Sequence, residues 1–111
     1  KKIGLLDENI FMYCEDVDYC IRANRLGLTV GFTNQVQIKH VGGASSKDPR
    51  LNQWTGEFKN LIYLHRKYRG SFSAIFLKIS IYKAIFLRIL AFSILGKSNH
   101  VKTYFKILKN L

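Results

Sequence analysis

Met12-Tyr13-Cys14-Glu15-Asp16-Val17-Asp18-Tyr19-Cys20 packs three carboxylates between apolar flanks, Ile10-Phe11 before and Ile21 after. A solvated charge run is usually longer, mixed in sign and flanked by polar residues. Acids pinned between segments that want burial can have tuned protonation. They can bind a metal or take a proton from a substrate. The spacing predicts a helix over 15–26. Its acids fill the first turn, where the helix dipole favours negative charge. Val17, Cys20, Ile21 and Asn24 form one stripe at i, i+3, i+4 and i+7, and Gly27 is placed to stop the helix.

Working outward, residues 3–14 read as a loop leading into an apolar hook. Leu28-Thr29-Val30-Gly31-Phe32-Thr33 alternates with period two and predicts a half-buried strand; so does Val36-Gln37-Ile38-Lys39-His40 after the turn at Asn34-Gln35. His40 shares the inward face with Val36 and Ile38, as a metal ligand or as a satisfied, partly buried histidine. Val41-Gly42-Gly43-Ala44-Ser45-Ser46 follows. Small residues there let backbone approach a ligand, although a simple turn reads equally well, and neither the P-loop nor the dinucleotide fingerprint is matched. Lys47-Asp48-Pro49-Arg50 reads as a polar, proline-marked loop. One helix, two short strands and a following helical region make the expected class α/β.

The second half differs in character. Residues 1–50 hold seven Lys and Arg against six acids, whereas residues 51–111 hold eleven against Glu57 alone. The formal charge of +11 therefore belongs almost wholly to the second half, which points to an anionic partner there. A helix is expected from Trp54 to Tyr68, with Phe58, Leu61, Ile62 and His65 on its stripe. Residues 71–95 are apolar apart from Lys78, Lys83 and Arg88, and as a helix would run about 37 Å. Cations five residues apart lie about 140° apart around a helix and form no common polar face. A central cation costs about 2.5–3.5 kcal/mol in a spanning helix. Two readings remain: a bent or broken helix lying in a membrane interface with cationic stems snorkelling outward, or a helix packed against another domain. His100–Leu111 is a short basic tail with helical spacing.

Cys14 and Cys20 match no common zinc spacing and read as small reduced core residues. The chain opens Lys1-Lys2-Ile3, which suggests the back end of something longer, and no signal-peptide pattern is present. Nucleic acid is disfavoured as a partner, because Phe and Ile saturate the cationic stretch and no groove-reading motif occurs.

Ile3-Gly4-Leu5-Leu6-Asp7-Glu8, Phe11 to Arg22, Gly27, and Ile38-Lys39-His40-Val41-Gly42-Gly43-Ala44-Ser45-Ser46 together resemble the C-terminal part of family 2 glycosyltransferases. The likeness is to rhamnosyltransferase-like bacterial members that build cell-surface polysaccharide. It covers residues 3–46 and is specific through the order and spacing of several motifs. It implies a GT-A fold, with residues 1–50 as the acceptor-side part of the catalytic domain and 51–111 as a helical, basic, membrane-associating region. It implies a nucleotide-sugar donor, a saccharide or lipid-linked acceptor, and inversion at the anomeric carbon. Asp16 would be the general base, and Glu15 and Asp18 would position the acceptor or brace the site. His40 would help ligate Mn²⁺ or Mg²⁺ on the donor diphosphate, with Gly42, Gly43 and Ser45 in a donor loop. The Asp-x-Asp motif that supplies the other metal ligands in such families does not occur upstream, so the isolated chain is expected not to catalyse transfer. Residues 71–111 would place the enzyme in the cytoplasm, peripheral at the inner face of the plasma membrane. The alternative is a non-enzymatic basic module that binds anionic membrane.

Overall fold

A computed structural model of the chain describes residues 2–39 and 49–111. Among these residues there are four helices, α1 (Glu15–Arg25), α2 (Pro49–Arg69), α3 (Ser71–Ile94) and α4 (Ser98–Asn110), and no strand. Helix makes up 68% of them, so the expected α/β class and GT-A fragment are overturned. Residues 28–33 and 36–39 do alternate, but alternation makes a strand only where a neighbour pairs with it and a layer covers its apolar side. Neither occurs among the described residues. Phe32 and Ile38, on the supposed inward faces, are 93% and 88% exposed.

α2, α3 and α4 pack against one another around Ile81, Ile85, Ile89, Tyr104 and Ile107. Tyr104 is the hub of this core. Its ring stacks on Trp54 of α2 at 5.2 Å and on Phe92 of α3 at 5.8 Å. α2 starts five residues before the predicted Trp54, with Pro49 at its first position, where a missing N–H costs nothing. Gly70 joins α2 to α3 at φ +89, a backbone state that side-chain-bearing residues rarely adopt. α1 ends as expected at Gly27: the Gly27 N–H donates to the Asn24 carbonyl and the Leu28 N–H to that of Ala23. The same pair of bonds closes α3 at Gly96 and Lys97, onto Ser93 and Phe92.

α3 runs unbroken from Ser71 to Ile94. Two of its cations face the bundle instead of snorkelling outward. Lys78 donates to the Leu111 carbonyl at 3.0 Å, and Arg88 to the Tyr104 hydroxyl at 3.2 Å. Among the described residues no helix is long and apolar enough to cross a membrane.

Ile85→Ala empties a side chain that is 1% exposed and is expected to cost about 2–5 kcal/mol in urea unfolding. Ile75→Ala, on the exposed side of the same helix, is expected to stay within about 0.5 kcal/mol.

Candidate functional site

The site is built on a strained turn. Tyr13 and Cys14 both sit in the left-handed region, at φ +69 and +68, which costs side-chain-bearing residues about 1–3 kcal/mol each. α2 holds the turn in place. The Asn60 amide donates to the carbonyls of Met12 and Tyr13, at 2.7 and 2.8 Å. Gly56 leaves room beneath it: a Cβ there would come within 3.0 Å of the Tyr13 ring and 3.3 Å of the Met12 carbonyl. Because the turn finishes at Cys14, α1 opens directly on Glu15 and Asp16.

These two acids line a cleft of about 430 Å³, together with Tyr13, Cys14, Val17, Glu57 and Leu61. Asp16 is exposed and, among the described residues, has no ion-pair partner; one carboxylate oxygen accepts the N–H of Val17 at 2.8 Å. Glu15 Oε2 is buried with no hydrogen-bond partner among the described residues. Glu57 is held by Gln53 at 3.0 Å. Burial, then the charges of Glu57, Asp16 and Glu15, push the Cys14 thiol up, which disfavours its thiolate. Both cysteines are free thiols, half-buried instead of in the core.

Asp18 has the opposite environment. It is fully buried, and α1 turns its Asp18 and Ala23 side inward while Val17 and Asn24 of the expected stripe are exposed. The reason is a set of donors that only the tertiary structure assembles. Asp18 receives Arg22 Nε at 2.8 Å, Lys67 Nζ at 2.6 Å and the Tyr68 hydroxyl at 2.7 Å. Lys67 also reaches Asp7 at 2.7 Å, and Asp7 accepts the Tyr63 hydroxyl at 2.9 Å. Arg22 donates through its other arm to the Ile3 carbonyl. Burial alone would push the Asp18 carboxyl up, but the bonds from Lys67, Tyr68 and Arg22 outweigh it and hold the group below its usual range. Lys67, Asn9 and Tyr63 likewise hold Asp7 far down. For Lys67, burial opposes the charged form, yet Asp18 and Asp7 keep the ammonium well above its ordinary value. Of the two roles implied for Asp18, its contacts are those of a brace.

A second cleft, about 790 Å³, shares Tyr13 with the first and is lined by Asn9, Phe11, Thr55, Lys59 and Asn110 among others. Thr55 Oγ1 on its wall is buried without a partner among the described residues. His40, Gly42, Gly43 and Ser45 lie outside the described residues. Among the described residues no three His, Cys, Asp or Glu side chains converge to hold a metal ion. Asn60, Gly56, Lys67 and Tyr68 were not singled out from sequence. The one available signal was Asn60, an amide lying between Phe58 and Ile62 of the apolar stripe. Comparison with family models, with curated proteins and with solved structures found no match to this chain.

Asp18→Asn keeps the shape and removes the charge, and is expected to destabilise the chain by about 3 kcal/mol or more in urea unfolding. The pH dependence has two limbs. Asp7 and Asp18 are depressed in the folded state, so their contribution is full above the unfolded carboxyl value of about 3.9 and is lost as pH falls through the folded values. Lys67 is raised, so its contribution is full below about 10.4 and is lost as pH climbs past that. Urea midpoints against pH should show a plateau between these limits, and Asp18→Asn should flatten the acid limb.

Proposed function

We propose that this chain supplies the acceptor side of an inverting glycosyltransferase, with Asp16 as the general base. The contrast between two acids two residues apart carries the reading. Asp18 is buried and saturated with donors, whereas Asp16 is exposed, without an ion-pair partner among the described residues, and lines a cleft. A general base needs that second environment, because it must reach a substrate hydroxyl and take its proton. In the proposed step the acceptor hydroxyl attacks the anomeric carbon of a nucleotide sugar. Its proton passes to Asp16, the bond to the diphosphate breaks, and the anomeric centre inverts.

The adjoining 790 Å³ cleft suits a saccharide acceptor. The amides of Asn9 and Asn110 can meet sugar hydroxyls, and the exposed Phe11 ring offers a flat apolar face. Glu15, whose buried oxygen has no hydrogen-bond partner among the described residues, would orient the acceptor beside Asp16. The resemblance to family 2 enzymes of cell-surface polysaccharide synthesis supports the same reading through residues 3–46. The reading rests on the Glu15-Asp16 turn and its clefts, not on a sheet. A divalent cation, Mn²⁺ or Mg²⁺, is proposed through His40, and it would supply charge neutralisation on the leaving diphosphate when bound.

The test is nucleoside diphosphate release by the full-length protein across a panel of nucleotide sugars and saccharide acceptors. Asp16→Asn is expected to lower turnover by about 100-fold or more while donor affinity and thermal midpoint hold. Retained turnover in that variant would remove Asp16 as the base. His40→Ala is expected to weaken metal-dependent donor binding in calorimetry; an unchanged metal requirement would count against its role.

A further inference from the structure

We infer that the outer face of α3 seats the protein in the plane of an anionic lipid surface. This inference stands whether or not the sugar-transfer reading holds. Phe72, Phe76, Ile79, Phe86, Leu90 and Ile94 are spaced three, four or seven residues apart on one side of the helix and are all exposed, Phe72 and Ile94 at 87% and 86%. They form an apolar stripe about 33 Å long on the side away from Ile81, Ile85 and Ile89. Folded monomers seldom leave so continuous an apolar surface to water unless something covers it.

The charges around the stripe select the cover. Lys83 lies in the middle of it, one turn from Ile79 and from Phe86. A protein partner would have to bury that ammonium and pair it with an acid. A second copy of this chain offers no such acid from its own α3 or α4, because Glu57 is the single acid in residues 51–111 and it lines the cleft beside Cys14. Two copies meeting on this face would also bring basic helices together. A lipid surface meets both needs. The stripe sinks to the boundary between headgroups and acyl chains, and the Lys83 stem runs along it to carry the ammonium to the phosphates. Residues 51–111 as a whole carry eleven Lys and Arg against one acid, which draws the chain toward an anionic surface. Each lysine held near an anionic surface adds attraction that salt weakens. Because no described helix can cross a membrane, α3 lies in the surface and does not span it.

Vesicle flotation of the 111-residue chain tests this, with phosphatidylcholine alone against equal parts of phosphatidylcholine and phosphatidylglycerol. The chain is expected to float with the anionic vesicles, to stay behind with the zwitterionic ones, and to be released by salt. Phe76→Glu with Phe86→Glu is expected to abolish flotation at an unchanged thermal midpoint, since both side chains are exposed. Lys83→Glu is expected to weaken partitioning on the order of tenfold. No flotation with anionic vesicles would overturn the inference, whether sedimentation then showed a monomer or a dimer closed over the stripe. Equal flotation with zwitterionic vesicles would remove the anionic requirement. Full flotation by the double glutamate variant would remove α3 as the contact.

Discussion

The Asp18 carboxylate is removed from water and met by three donors, and two of them, Lys67 and Tyr68, come from a helix about fifty positions later in the chain. A buried carboxylate left unpaired would cost several kcal/mol, so the first helix has little freedom in how it sits on the second. Asp18 fixes the roll of α1. Asp7, sharing Lys67, fixes the loop before it, and Arg22 ties the Ile3 carbonyl to the same group. The apolar contribution of α1 is small, with Ala23 its one buried apolar residue. Polar geometry does the work that a hydrophobic stripe does between α2, α3 and α4.

That arrangement divides the labour among acids that look alike in sequence. Rolling Asp18 inward turns Asp16 outward, because neighbours two apart on a helix lie about 200° apart. The strained turn at Tyr13 and Cys14 sets where the helix starts, and Asn60 and Gly56 on α2 make that turn tolerable. α2 therefore positions both the brace and the candidate base. Its sequence announces neither task.

α3 resists a reading from periodicity for a related reason. It carries two apolar faces, one against Tyr104 and Ile107 and one open, so apolar residues occur all round and no single polar side stands out. The three cations then separate by destination. Lys78 and Arg88 satisfy groups of the bundle, and Lys83 stays among the exposed apolar residues.

Local signals decided much of the helical layout. The helix end at Gly27 was legible because glycine is the residue that takes a positive φ there, the 3.6-residue spacing located α1, most of α2 and α4, and the length of the apolar run located α3. The concentration of basic charge in residues 51–111 was also a property of sequence alone. The alternation in residues 28–39 misled, because a period of two records which side chains could share a face and not whether a neighbouring strand exists to pair with. The candidate site was half legible. The Glu15-Asp16-Val17-Asp18 cluster stood out between its apolar flanks. Which of its acids would be spent on structure and which left facing a cleft depended on Lys67, Tyr68 and Asn60. Sequence order carries no distance between residues so far apart, and only the packing of α2 against the first turn of α1 supplied it.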